Sequence, residues 1–291
     1  MPKKMSALPK SRRALSDEGA RRKASWGKPA HEYEHGKRYT KWLCDPGDVC
    51  RPMDAELGAF QENPNWKIFR IMAEFVEGFE FLDKLHGEVT IFGSARAGSG
   101  DPSYKIAKKL GALLGKEGYT VVTGGGPGIM EAANWGAFDA GGESVGLDIE
   151  LPSEQRRNQF VRKALGFHYF FTRKVMLSAS AQAYVFFPGG FGTLDEMTEM
   201  VTLIQTGKIP KDVPAILVGK DFWQPFVDWV TEKLYRERRY ISKDDIALLR
   251  VVDSAEEAMA IIRTTHERPY GSERQTALSR KWEVKGVGKK K

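Results

Sequence analysis

Four short runs, Val89–Phe92 (VTIF), Tyr119–Thr123 (YTVVT), Ala183–Phe187 (AYVFF) and Ala215–Val218 (AILV), are largely apolar from end to end. They lack the apolar–polar alternation of a strand with one wet face, so they fit strands covered on both sides. Stretches of helical character separate them, at 102–116, 127–141, 192–206 and 221–237. Further strands are expected at Ser144–Ile149, Phe167–Phe171 and 250–252, and further helices at 172–181 and 254–264. Covered strands alternating with helices predict an α/β fold, a doubly wound parallel sheet with helices on both faces. Ahead of the sheet, residues 64–85 place Trp66, Phe69, Met72, Ala73, Val76, Phe79 and Leu82 at helical spacing. That stripe predicts an extra N-terminal amphipathic helix acting as a lid or packing element.

The charge is unevenly spread. The chain of 291 residues carries a formal +7. Residues 1–41 hold 12 Lys/Arg against 4 Asp/Glu, and 267–291 hold 8 against 3, so the ends carry +8 and +5. The remaining 42–266 is acidic at −6. This predicts one folded domain at 42–266 between two basic flexible tails, at 1–41 and 267–291, and makes nucleic acid an unlikely partner for the core. No run of about 18 apolar residues is present, so no membrane span is expected. Two cysteines are too few for a disulfide framework, and no apolar leader opens the chain. A cytoplasmic protein is the expectation.

Ligands of doubly wound sheets bind beyond the carboxyl ends of the strands. Two such ends are glycine-rich. One reads Thr123-Gly124-Gly125-Gly126-Pro127-Gly128-Ile129-Met130-Glu131, the other Pro188-Gly189-Gly190-Phe191-Gly192-Thr193-Leu194-Asp195-Glu196. Each runs from a strand into a helix, where bare backbone N–H groups and the helix N-terminus suit a phosphate. Neither fits G-x-G-x-x-G or G-x-x-x-x-G-K-[ST], which removes support for NAD enzymes and P-loop ATPases. Glycines at tight turns are the bland alternative, and two such loops in one sheet weigh against it. A third strand end offers Ser94 and Arg96.

Glu196 lies in the first turn of the helix after the second loop. Glu199, three residues on, shares its side of that helix. Arg173 and Lys174 open the helix predicted at 172–181. A cation there opposes the helix dipole, so an anion should lie nearby, either a ligand phosphate or a carboxylate.

The segments GGGPGIMEAAN (124–134), FTRKVMLS (171–178) and PGGFGTLDE (188–196) resemble the LOG family. Its members are cytokinin riboside 5′-monophosphate phosphoribohydrolases, often mislabelled lysine decarboxylases. The resemblance covers roughly 87–265 and is similar to the longer-chain bacterial subgroup. It implies a Rossmann-like fold and hydrolysis of the N-glycosidic bond of AMP or an N6-substituted AMP. It also implies Arg173 and Glu196 as catalytic residues, and a homodimer or larger assembly. Under it, backbone groups of Gly125, Gly126, Gly128, Gly190, Gly192 and Thr193 would bind phosphate and ribose. Ser94, Arg96, Met130, Lys174 and Glu199 are secondary substrate-binding candidates. No metal or other cofactor is implied, and no acid for the departing base is evident. The helix at 64–85, with Phe69 and Phe79, is the expected assembly surface.

Two alternatives stay open: a non-enzymatic nucleotide carrier or sensor of the same fold, and a pyridoxal-phosphate enzyme using Lys174. His31-Glu32-Tyr33-Glu34-His35 matches H-E-x-x-H, but it sits in a charged tail without the apolar stripe of a packed helix. Cys44 and Cys50 lack a second pair with which to hold zinc.

Overall fold

The structure, a computed structural model, describes residues 64–150, 157–179 and 181–268. The H-E-x-x-H segment, both cysteines and most of the two tails lie outside these residues.

Seven parallel strands form one sheet: β1 (Glu88–Phe92), β2 (Thr120–Thr123), β3 (Ser144–Ile149), β4 (Lys163–Phe167), β5 (Ala183–Phe186), β6 (Ala215–Val218) and β7 (Leu249–Val252). Their spatial order is β4-β3-β2-β1-β5-β6-β7. The chain starts in the middle, builds outward to β4, then returns to the other side of β1. That reversal is a topological switch point, and it opens a crevice above the carboxyl ends of β1 and β5. The doubly wound sheet expected from the strand pattern is present.

The strands divide their side chains between two cores. Val89 and Ile91 of β1, Ala183 and Val185 of β5, and Ile216 and Val218 of β6 face one side. There α2 (Pro102–Lys116), α3 (Ile129–Asp139) and α8 (Ala255–Ile262) cover them. Phe92, Tyr184, Phe186, Ala215 and Leu217 face the other. That side is covered by α1 (Pro64–Leu82), α4 (Phe170–Ala179), α5 (Phe191–Gln205) and α6 (Lys220–Trp229). The period-2 division explains why these strands read as continuously apolar. In the first layer α2 and α3 touch backbone to backbone: a Cβ on Gly136 would lie 1.9 Å from the Lys108 carbonyl oxygen.

Three expectations need correction. The aromatic run Phe167–Phe171 is not a strand. β4 pairs with β3 from Lys163 to Phe167, and Phe170 and Phe171 already belong to α4. A carboxylate contributed by α1 starts that helix, and local β-propensity does not register it. Secondly, the helix expected at 221–237 is α-helical only to Trp229 and continues as π-helical turns over Val230–Glu237. A short α7 (Lys243–Ile246) then precedes β7.

Thirdly, the packing stripe of α1 is turned outward. Trp66, Phe69, Met72 and Val76 are exposed, at 48 to 61%. Only Phe79 and Leu82 of that stripe pack onto the core. Glu74, Gly78 and Leu82 face inward instead. Gly78 lets α1 press on α4, since a Cβ there would meet the Met176 sulfur at about 2.4 Å.

At the far end of the sheet, Glu267 and Arg268 belong to the folded body rather than to a tail. The Gly87 N–H donates to Glu267, and Arg268 donates to the carbonyls of Ser178 and Ala181. Among the described residues no helix is long and apolar enough to cross a membrane.

Candidate active site

The loops after β1, β2 and β5 are laced together at the switch point. Phe187 N–H donates to the Phe92 carbonyl (2.9 Å), Ser94 N–H to the Pro188 carbonyl (3.0 Å) and Ile129 N–H to the Ser94 carbonyl (3.0 Å). A cavity of about 570 Å³ opens above them. Its wall includes Ser94 and Arg96, Gly124 to Gly126, Met130, Asp148, Arg157, Phe170 and Arg173, then Gly190 to Thr193 and Glu196. Segments from six places in the chain therefore meet in one space.

Arg173 is a buried arginine at 9% exposure. Its Nε donates to the Leu147 carbonyl at 2.7 Å, at the carboxyl end of β3. The guanidinium lies across Gly124, where a Cβ would fall 2.0 Å from Nη2. A side chain at 124 would therefore displace the arginine. Burial pulls the guanidinium pKa down, while Glu196 and Asp148 oppose that shift.

Glu196, half-buried on α5, faces this cation. Burial pushes its carboxyl up to about 7. Arg173 works against the shift, and the nearby Asp195 adds to it. A carboxylate poised near neutrality beside a fixed cation is the arrangement expected of a general base or a charge stabiliser. The N-terminus of α5 lies on the same wall. Gly190 caps it without any side-chain hydrogen bond, so the first-turn N–H groups, Gly192 and Thr193 among them, are oriented for an anion.

The remaining expected residues divide. Ser94, Arg96, Gly126 and Met130 line the cavity. The Ser94 hydroxyl accepts from the Arg96 N–H at 3.1 Å. Gly125 lines it too, but its N–H is already committed to the Thr123 hydroxyl (2.9 Å). Its φ of 70° and its contact with Asp148 are what require glycine. Gly128 does not line the cavity. It has φ 73° and presses on the Ser94 carbonyl, closing the β1 and β2 loops on each other.

Lys174 and Glu199 lie outside the wall as well. Lys174 Nζ is 2.9 Å from Asp195 and 2.9 Å from Glu199. Glu199, three residues on from Glu196, is offset by about 60° around the helix, enough to turn it to the lysine. Burial lowers the Lys174 pKa, but the hydrogen bonds to the two carboxylates raise it further, so the net shift is upward.

Three participants escaped sequence reasoning. Asp148 lines the cavity, with Oδ2 paired to Arg157 and Oδ1 buried without a hydrogen-bond partner among the described residues. The signal was one acidic residue at the carboxyl end of an otherwise uncharged strand, SVGLDI. Asn158 donates Nδ2 to the carbonyls of Gly125 and Gly126, each at 3.0 Å, and its own N–H to Gly125 at 2.8 Å. It thereby pins the first glycine loop from behind. Glu74 of α1 accepts from the His168 N–H (3.0 Å) and the Thr172 hydroxyl (2.6 Å) at the start of α4. It is a carboxylate that offsets the placement of Arg173 and Lys174 early in a helix.

Comparison with known proteins bears on this constellation. Residues 130–262 match the family model described as "Possible lysine decarboxylase". The rice (Oryza sativa subsp. japonica) cytokinin riboside 5′-monophosphate phosphoribohydrolase LOG is 32% identical over 129 residues, 43% of this chain and 52% of that protein. The protein of the same activity name from Mycobacterium marinum is 28% identical over 160 residues, 53% of this chain and 82% of that one. The LOG-family resemblance is borne out. The chain spans about half the length of the rice relative. Among solved structures, the molybdenum cofactor binding protein of the phototrophic bacterium Rippkaea orientalis overlaps at TM-score 0.45 and 23% identity, over 61% of this chain and 94% of that one. In this LOG-like chain the family-model match holds Glu196 and Arg173, but begins only at Met130. The glycine loop at 124–128 and the Ser94–Arg96 turn precede it.

Proposed function

We propose that this chain is a nucleoside 5′-monophosphate phosphoribohydrolase. It would cleave AMP or an N6-substituted AMP, the class of a cytokinin riboside 5′-monophosphate, to free base and ribose 5-phosphate. The observation that carries the reading is that Glu196 and the buried Arg173 cation line one cavity together with the N-terminus of α5. The phosphate sits at Gly190, Gly192 and Thr193. The ribose then lies over Glu196.

As the C1′–N bond lengthens, positive charge develops on the sugar, as in other glycoside cleavage. The ionised Glu196 stabilises that charge and takes a proton from the attacking water. Water's oxygen forms the new bond to C1′, the base departs with the bonding electron pair, and the proton taken by Glu196 passes to the base through solvent, restoring the carboxylate. Arg173 fixes the Glu196 carboxylate and offsets phosphate charge.

Lys174 does not fit a Schiff-base role, because two carboxylates hold its amine protonated. A protonated amine is no nucleophile.

The outward stripe on α1, flanked by exposed Phe171 and Val175 of α4, supports a homodimer or higher homo-oligomer. Phe79 packs onto the protein's own core, so Phe69 is the better interface probe. The test of function is a screen of nucleoside monophosphates with released base as the readout. Base release from AMP or its N6-prenyl form supports the proposal. Binding without release would favour the carrier alternative and sink the hydrolase reading.

A further inference from the structure

The cavity has a second polar pole that the phosphate and ribose contacts leave unused. β5, β1, β2 and β3 are consecutive neighbours in the sheet. At about 4.8 Å per step, the ends of β5 and β3 stand roughly 14 Å apart. A phosphate on the helix after β5 therefore directs the other end of a nucleotide toward β3. At that end Asp148 and Arg157 line the cavity.

Their arrangement is built rather than incidental. Arg157 bonds Asp148 Oδ2 through Nε, which leaves its terminal nitrogens uncommitted among the described residues. Asp148 Oδ1 is buried without a hydrogen-bond partner among the described residues and packs on Gly125. The next residue, Asn158, is 7% exposed and anchored to Gly125, Gly126 and Asn134, which fixes the backbone from which Arg157 projects. A guanidinium edge held this way offers paired donors to acceptors in one plane.

Resting on the phosphoribohydrolase reading, we propose that Arg157 is the specificity-determining residue for the base. It donates to the ring-nitrogen acceptors of a purine, with Asp148 orienting it and Asn158 positioning its backbone. Adenine presents a ring-nitrogen acceptor, N1, N3 or N7, on each edge, and ribose 5-phosphate presents none there.

The test measures binding of AMP and of ribose 5-phosphate by calorimetry, in a Glu196→Gln background that suppresses turnover. Adding Arg157→Met weakens AMP about tenfold or more, the cost of a lost charge-assisted hydrogen bond, and leaves ribose 5-phosphate within about twofold. Adding Arg157→Lys, which keeps the charge and loses the planar fork, gives an intermediate loss for AMP alone. Equal losses for both ligands, no loss for AMP, or no AMP binding by the Glu196→Gln protein would overturn the proposal. Base release by the wild-type protein is scored separately. AMP bound but not cleaved would defeat the hydrolase reading and leave the base contact standing.

Discussion

At the scale of single residues, two carboxyl groups whose pKa burial raises carry opposite consequences. Glu196 works as a carboxylate with its pKa near 7. Activity therefore rises as pH climbs through about 7, and Glu196→Gln removes that limb along with some 10²- to 10⁴-fold of kcat. A pH profile of kcat/KM on both proteins checks this. Glu88 lies at the opposite end of β1, fully buried, with neither carboxyl oxygen hydrogen-bonded among the described residues. Burial raises its pKa from 4.5 to about 7. Between those values the native state keeps a proton that the unfolded chain has released. Stability is therefore full below about 4.5 and falls as pH rises, with the loss complete above about 7. At 1.36 kcal/mol per unit the loss is about 3 kcal/mol. Urea unfolding at pH 5 and pH 8 should show this drop on top of the one Glu196 contributes from its own raised pKa, and Glu88→Gln should abolish the Glu88 share, about half of the total. Retention of the full drop in the variant would refute the assignment. Sequence made Glu196 legible because it sits at a fixed offset from a glycine loop. Asn158 was hidden, because its role comes from folding 32 and 33 residues back onto two carbonyls.

At the scale of elements, α1 and α4 form one unit through Glu74. Its carboxylate satisfies donors at the start of α4, the helix that aims Arg173 into the cavity. Glu74→Ala leaves those donors unpaired and should cost about 2 kcal/mol in urea unfolding. Because Arg173 loses its support, kcat falls more than KM rises. An unchanged kcat with only reduced stability would show that α4 holds its place without the cap. The same contact explains two misread elements. Phe170 and Phe171 suggested a strand by composition, and periodicity suggested α1 as a lid or packing element without separating its core side from its outer side. Both patterns are local, whereas Glu74 and Thr172 meet across 98 residues.

For the whole molecule, the doubly wound parallel architecture was legible from strand type, since doubly covered strands leave few architectures open, whereas the order of the strands is set by long-range pairing. The exposed face of α1 was legible as an apolar assembly surface, but the turn of Phe79 to the core while Phe69 stays outside was not. Which side of an amphipathic helix meets the core is decided by its neighbour, α4. That face carries the assembly prediction: Phe69→Ala shifts size-exclusion elution toward the monomer, while Phe79→Ala lowers the stability of each subunit. An unshifted Phe69→Ala elution would remove α1 from the interface. The most direct test of the central claim is the stoichiometry of AMP breakdown by wild-type protein and by Glu196→Gln. The account predicts equimolar adenine and ribose 5-phosphate from wild type, and at least about a hundredfold slower release from the folded variant. Wild-type protein that binds AMP and releases no adenine, or a variant as fast as wild type, would contradict it.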